Sequence, residues 1–223
     1  MKNRLMSLGL AVVMVVCFSG IVFASGASAK KYDYPDLTWQ ERTTTGAMVT
    51  KVHAAAREIT QATRIKIMDG YPDGTFRPND PIKRGEFIKM LIGLATNRTF
   101  DFASVESKYS QWYGPYVTVA EMQGVIQKNE FTEAELENPI TRIEMILMLA
   151  RTQIIMKNIP LTQVEDKLKY TDIGFLTKEE RELVLHAAQY ELLDGMKEAT
   201  DTKLDPHANL TRGEAARAIM RVY

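Results

Sequence analysis

One hexapeptide order occurs three times in this chain and limits its fold more than any other feature. Ile82-Lys83-Arg84-Gly85-Glu86-Phe87, Ile140-Thr141-Arg142-Ile143-Glu144-Met145 and Leu210-Thr211-Arg212-Gly213-Glu214-Ala215 share the pattern apolar, cap, Arg, any, Glu, apolar. Thr141 and Thr211, each followed three residues on by Glu144 or Glu214, have capping-box spacing, and the flanking apolar pairs sit at the two positions of a hydrophobic staple. Each hexapeptide therefore opens a helix. Lys83 stands where the other copies have Thr, so Glu86 lacks a hydroxyl partner and the first cap should be weaker by about 1 kcal/mol. A helix start repeated at this interval predicts units that cannot bury their own apolar faces and complete one another's cores.

Ahead of the first copy the chain reads Asp69-Gly70-Tyr71-Pro72-Asp73-Gly74-Thr75-Phe76-Arg77-Pro78-Asn79-Asp80-Pro81. This is turn chemistry: Gly70 and Gly74 permit positive φ, which Gly74 is expected to need, the prolines forbid regular ladders, and Phe76 is expected to plug the loop onto a core. Aligning Arg142 on Arg84 without gaps puts Lys128 at Gly70, Phe131 at Asp73, Thr132 at Gly74 and Leu136 at Pro78. The second loop has lost its glycines and filled with Glu130, Glu133, Glu135 and Glu137. Thr132-x-x-Glu135 is itself a capping box, so a short helix is expected there. In the third copy Gly195 matches Gly70, Arg212 follows 17 residues later rather than 14, and Pro206 keeps the place of Pro78.

The arginine is the odd member of the pattern. A cation at the first helical position opposes the helix dipole, and it adds nothing to the cap. On that ground its loss should change stability little. Two readings stay open: a guanidinium beside free helix N–H groups facing an anion, or an arginine paired with an acidic neighbour across a repeat interface. The glutamates read as capping residues.

Gly70-Tyr71-Pro72-Asp73-Gly74-Thr75-Phe76-Arg77-Pro78, followed by a variant of Thr-Arg-Ala-Glu, resembles the S-layer homology domain. The second copy adds Gln111-Trp112-Tyr113-Gly114-Pro115-Tyr116-Val117, similar to that family's Trp-containing opening; the third adds Tyr170-Thr171-Asp172. The resemblance implies a mainly α fold: three helix-loop-helix repeats in a pseudo-threefold arrangement around a central helical bundle, spanning 30–98, 99–160 and 161–223. It implies a non-enzymatic module that binds pyruvylated secondary cell-wall polysaccharide in grooves between repeats, at the surface of a Gram-positive-type wall. The ligand residues it implies are Arg84, Arg212, Arg142, Gly70, Tyr71, Asp73, Gly74, Trp112 and Asp172. Glu86, Thr141, Glu144, Thr211 and Glu214 serve the helix caps. Trp112, Tyr113 and Tyr116 offer sugar-stacking faces, or belong to the core. The competing function is an exported adaptor whose scaffold binds another surface protein.

The chain opens with Lys2 and Arg4, an apolar run from Leu8 to Phe23 and Ala27-Ser28-Ala29, the pattern of a signal peptide over 1–29. Membrane contact is expected only during export, with the mature protein beginning near Lys30. The full chain has 28 basic and 28 acidic side chains, and two of the basic ones precede residue 30, so the mature part has no basic surplus to favour nucleic acid. The single Cys lies in the leader, which leaves no disulfide or thiol chemistry. His53 and His186 are expected in alanine-rich helices, and no cofactor is implied. Asp69, Asp73, Gly74 and Asp80 fall in a calcium-loop frame, but Tyr71 and Arg77 occupy ligand positions, so no metal is expected. Met48, Val52, Ala55, Ile59 and Ala62 share one helical face, which predicts a long helix from about Thr45 to Ile67.

Overall fold

The computed structural model describes residues 32–96, 99–159, 161, 170–193 and 202–222; the predicted leader and Gly195 lie outside them. The described residues form the hairpin β1 Thr38–Arg42 and β2 Met48–Val52, then α1 Ala56–Arg64, α2 Arg84–Ala95, α3 Gly114–Gln123, α4 Glu133–Leu136, α5 Arg142–Lys157, α6 Lys178–Gln189 and α7 Arg212–Val222. No described helix is long and apolar enough to cross a membrane.

Each recurring hexapeptide starts a helix with its arginine as the first residue: α2, α5 and α7. Two of these closing helices are apolar on nearly every side. α2 buries Phe87, Ile88, Met90, Leu91, Ile92 and Leu94, and α5 buries Met145 through Ala150. A helix apolar all round belongs at a centre, where each such Leu, Ile or Phe contributes ~1.5–3 kcal/mol. α2, α5 and α7 do meet one another there. The opening helices lie outside, each packed on the closing helix of the repeat before it: α3 on α2, α6 on α5, and α1 on α7. That last pairing returns the third repeat to the first. The fold is a mainly α, closed pseudo-threefold ring, as the sequence predicts.

The backbone carries the same symmetry. Ile82 N–H donates to Leu210 O at 3.1 Å, Leu210 N–H to Ile140 O at 3.1 Å, and Ile140 N–H to Ile82 O at 2.9 Å, a closed triangle of hydrogen bonds. After each opening helix one residue turns left-handed: Lys66 (φ 55), Gly124 (φ 77) and Glu191 (φ 57). The next N–H then reaches back to an alanine, Ile67 to Ala62 O at 2.9 Å, Val125 to Ala120 O at 2.9 Å and Leu192 to Ala187 O at 2.8 Å. Phe76 is fully buried, and the short acidic helix α4 forms with Thr132 and Glu135 as its capping box.

Two local expectations are corrected, for the long helix and for His53, and one permitted backbone conformation, at Gly70, is not used. The helix predicted over Thr45–Ile67 is only α1; the hairpin occupies its first part and the lead-in before it. Val49, Thr50 and Val52 favour extended backbone, and Thr43 to Gly46 make a turn in which Thr43 N–H donates to Ala47 O at 2.8 Å and Gly46 sits at φ 86. Gly70 is not left-handed, although Gly74 is, at φ 82. Gly70 is required by proximity instead: a Cβ there would lie 2.2 Å from the Tyr34 ring, whose hydroxyl accepts from Gly70 N–H at 3.0 Å. His53 is not helical; it precedes α1, where its Nδ1 accepts from Ala55 N–H at 3.1 Å.

Candidate functional site

The three arginines are built into the seams of the ring. Arg212 donates from Nε to Phe76 O at 3.0 Å and from Nη2 to Asp69 O at 2.8 Å, so the third repeat grips the first repeat's loop. Arg142 donates from Nη1 to Leu204 O at 2.7 Å, in the third repeat. Arg84 reaches the second repeat, donating from Nη1 to Glu135 O at 3.0 Å and gripping Glu144 with Nε and Nη2, both at 2.9 Å. Each guanidinium thus enters the loop of the next repeat and meets carbonyl oxygens there.

The helix N–H groups beside them are also occupied. Arg84, Arg142 and Arg212 N–H donate to Asn138, Ala208 and Asp80 O at 3.0, 2.9 and 2.8 Å. Gly213 N–H meets Pro78 O at 2.8 Å and Ile143 N–H meets Pro206 O at 3.0 Å, so the two prolines at matching places hold matching carbonyls. The donors predicted to face an anion are therefore turned into the protein. Of the two readings left open, pairing across a repeat interface describes Arg84 with Glu144, while Arg142 and Arg212 take mainly backbone carbonyls. Arg142 is 2% exposed and Arg212 8%. These contacts argue against the expectation that their loss changes stability little.

The remaining predicted residues divide by exposure. Glu86, Glu144 and Glu214 each accept from the N–H of their cap residue, Lys83, Thr141 and Thr211, at 3.2, 2.9 and 2.9 Å. Glu144 thus caps α5 and holds Arg84 with one carboxylate. Tyr71 is half-buried between two guanidinia, Arg77 at 4.0 Å and Arg212 at 4.8 Å from its ring centre. Exposed Asp73 accepts from Thr75 N–H and Oγ1 and from Arg77 Nη2 at 2.7 Å. The Thr75 hydroxyl first, and then Arg77, hold its carboxyl far below the usual carboxylate range. Asp172 receives Leu204 and Asp205 N–H at 3.0 and 2.8 Å. Burial would raise its pKa, but those two donors outweigh burial and lower it. Trp112 is 61% exposed, whereas Tyr113 is buried and Tyr116 stacks on Phe102 at 4.0 Å.

Sequence reasoning missed two partners. Asp36 does in the first repeat what Asp172 does in the third, accepting from Phe76 N–H at 2.9 Å and Arg77 N–H at 2.6 Å. It thereby fixes Arg77 at φ 58, as Asp172 fixes Asp205 at φ 54. The repeated Tyr-x-Asp of Tyr34-Pro35-Asp36 and Tyr170-Thr171-Asp172 was the available signal. The second is Glu137, which binds Lys83 Nζ at 2.6 Å and the Tyr113 hydroxyl. Burial first, then Glu137, raises the Tyr113 pKa, while Lys83 and then Tyr113 lower that of Glu137. Nothing local in the sequence links these three.

Open grooves lie along the flanks, between one repeat's closing helix and the next repeat's opening helix. One, of about 320 Å³, is lined by Lys66, Ile67, Lys89, Gly93, Phe100, Phe102 and Tyr116. Another, of about 210 Å³ between α7 and α1, is lined by Arg57, Glu58, Gln61, Arg217, Met220 and Arg221.

Residues 49–88 match the S-layer homology domain family. An uncharacterized cell wall amidase of Bacillus anthracis is 29% identical over 161 residues, covering 69% of this chain and 28% of that protein. An amylopullulanase of Thermoanaerobacterium thermosulfurigenes is 28% identical over 160 residues, covering 69% of this chain and 8% of the enzyme. An endoglucanase of Bacillus sp. (strain KSM-635) is 26% identical over 158 residues, covering 69% of this chain and 16% of the enzyme. The chain thus spans less than a third of the length of each of these relatives.

Proposed function

We propose, for a chain that carries an S-layer homology domain and with it a cell-wall anchoring module, that the protein fastens without catalysis to an anionic secondary polysaccharide of the wall. One observation carries this reading. A share of 69% of this chain is matched in each of three relatives, named as an amidase, an amylopullulanase and an endoglucanase. What three unlike activities share is not the source of any one of them; attachment is the task that all three have use for. The pyruvate groups that the family resemblance implies would supply the anionic charge.

The face assigned to the polymer is the loop end of the ring. The indole of Trp112 stands exposed there for a sugar to stack on. Tyr71, Asp73, Gly70 and Gly74 shape the first loop, and Arg84, paired with Glu144 and 13% exposed, holds the second loop beside it. Arg142, Arg212 and Asp172 hold the neighbouring loops in place behind this face.

Sedimentation with purified walls tests the proposal. The protein should pellet with intact walls and stay in solution when the secondary polysaccharide has been stripped. Trp112→Ala should lose retention at an unchanged melting temperature, because so exposed a side chain contributes little to the core. Equal retention on stripped walls sinks the polysaccharide reading. It would favour the adaptor reading instead, which has its own support in the exposed hairpin carrying Trp39, Met48 and Val52.

A further inference from the structure

The hairpin is surplus to the ring. Asp36 and Asp172 do the same work in the first and third repeats, and Ala62 and Ala187 both accept the N–H that follows an opening helix. Asp36 precedes Ala62 by 26 residues, whereas Asp172 precedes Ala187 by 15. The first repeat therefore carries 11 more residues over this span, and β1, its turn and β2 take them up. They add nothing to the core: Trp39, Met48 and Val52 stand exposed, and of the strand residues only Thr38 and Val49 are half-buried. A two-stranded hairpin is marginal in water and gains from a further strand. We propose that β2 pairs antiparallel with β2 of a second copy of this chain, across a twofold axis at Thr50.

The alternation of hydrogen bonds leaves one edge open. His53 N–H donates to Leu37 O and Thr43 N–H to Ala47 O, both at 2.8 Å, and between them Thr38 faces Val52 and Gln40 faces Thr50. In such a ladder the backbone groups of Trp39, Glu41, Val49 and Lys51 point inward, and those of Met48, Thr50 and Val52 point away from β1. No other backbone partner meets these three among the described residues. The outer edge of β1 is guarded instead: Thr38 N–H is taken by Pro35 O, and Arg42 carries an exposed charge. Met48, Thr50 and Val52 carry none. One open edge closes on a dimer, where two would run on as a fibre.

The sequence of β2 suits a second copy of itself. With Thr50 opposite Thr50 of the second copy, Met48 falls opposite Val52 and Lys51 opposite Val49, each of the second copy. Up to about six backbone hydrogen bonds close, and no charge meets its like. Moving the axis to Lys51 would set two ammonium groups face to face, and moving it to Val49 would leave Val52 beyond the end of the paired strand. Gln40 Nε2 on Thr50 Oγ1 at 2.8 Å and Lys51 beside Glu41 at 3.7 Å already mark the two faces of the hairpin. The joined sheet would gather Met48 and Val52 on one of them and Trp39 and Val49 on the other. This pairing goes beyond wall attachment and does not rest on it: two rings would be joined through a surface that neither needs for its own fold.

Sedimentation velocity on the purified protein, from about 5 µM to about 500 µM, tests the pairing, since a contact this small should be half formed within that span. The sedimentation coefficient should rise from the monomer value towards that of a dimer and go no further. Val49→Lys should weaken association about tenfold or more, because each new ammonium faces Lys51 of the second copy. Within its own hairpin the same position faces Glu41, so the hairpin itself is kept. Adding Lys51→Glu to Val49→Lys should restore association, because the two positions then carry opposite charges. Thr50→Pro should abolish association by removing an N–H that the hairpin does not use, while Gln40→Pro, at the matching place on β1, should leave it intact. A monomer at every concentration overturns the proposal and leaves the edge to a foreign strand. A dimer indifferent to Val49→Lys and Thr50→Pro overturns it as well, and so does association that runs on past the dimer.

Discussion

The loops of the first and second repeats solve one problem with different materials. Both must present a carbonyl to the arginine of the preceding repeat in the ring. The first does so with a glycine turn: Gly74 at φ 82, Phe76 buried, Asp36 pinning two N–H groups, and Asp69 and Phe76 carbonyls turned to Arg212. The second has no glycine and builds the single turn α4 instead, capped by Thr132 and Glu135, with Glu135 O accepting from Arg84. A carbonyl at the C-terminal end of a helix carries partial negative charge and suits a cation. The socket is thus a property of backbone, which any sequence supplies once it bends correctly. The arginine that fills the socket is the part a sequence must keep.

The widest test of this comparison is removal of the arginines. Arg142→Ala should cost about 3 kcal/mol in chemical denaturation, because a buried guanidinium bonded to carbonyls leaves unsatisfied acceptors behind. Arg212→Ala should cost about 2 kcal/mol and Arg84→Ala somewhat less, following increasing exposure. An order that placed Arg84 first would mean that its Glu144 carboxylate, not the carbonyl socket, sets the energy. Next comes Gly85→Ala, whose Cβ would stand 2.7 Å from the Tyr113 ring of the second repeat. It should cost roughly 1–3 kcal/mol as an overpacked contact. Gly74→Val should cost about 1–2 kcal/mol through its left-handed backbone, and Thr132→Val about 1 kcal/mol through the lost cap. Equal melting shifts for these last two would erase the distinction between a glycine turn and a capped one.

A smaller effect separates the remaining seam. There His186 of α6 meets Gln153 of α5 at 2.9 Å, and burial holds its imidazole below the ordinary value of 6.5. The unfolded chain then binds the proton more readily, so stability should fall as pH drops below about 6.5 and go on falling until the folded value is passed. His186→Gln should flatten that slope in melts between pH 7 and 5. Smallest is Glu191→Gly, which should gain about 0.5–1 kcal/mol by giving the third repeat the glycine that Gly124 already provides in the second. A loss of stability there would mean that the Glu191 side chain makes a contact worth more than its backbone strain.

The triplicated helix start, the plug at Phe76 and the helical turn at Thr132–Glu135 were legible because each is a local pattern. The hairpin was not. Met48, Val52, Ala55 and Ile59 recur at helical spacing, and only the β-branched content of 49–52 and the turn at Gly46 argued against a helix. Nor were the partners of the arginines legible. Arg212 meets Asp69 and Phe76 from the far end of the chain, and carbonyl acceptors leave no mark in composition. The need for Gly70 was not legible for a related reason, since its lack of a side chain answers to the distant Tyr34 and not to its own φ. Of the candidate site, the exposed Trp112 was named from sequence. The resemblance implied grooves between repeats and Tyr116 was named, but Lys66, Lys89, Phe100 and Phe102 of the flank groove were not, because they come from three further segments.

The triangle of hydrogen bonds among Ile82, Ile140 and Leu210 has a further bearing on how the molecule opens. A linear array of repeats frays from its terminal members, so amide exchange is graded from the ends inward. A ring has no terminal member. Each of these amides is held by a carbonyl in a different repeat, and release of any one repeat frees one donor and one acceptor on its two neighbours. Protection at the three positions should therefore be lost at a common rate, in the manner of a keystone arch and not of a stack of plates.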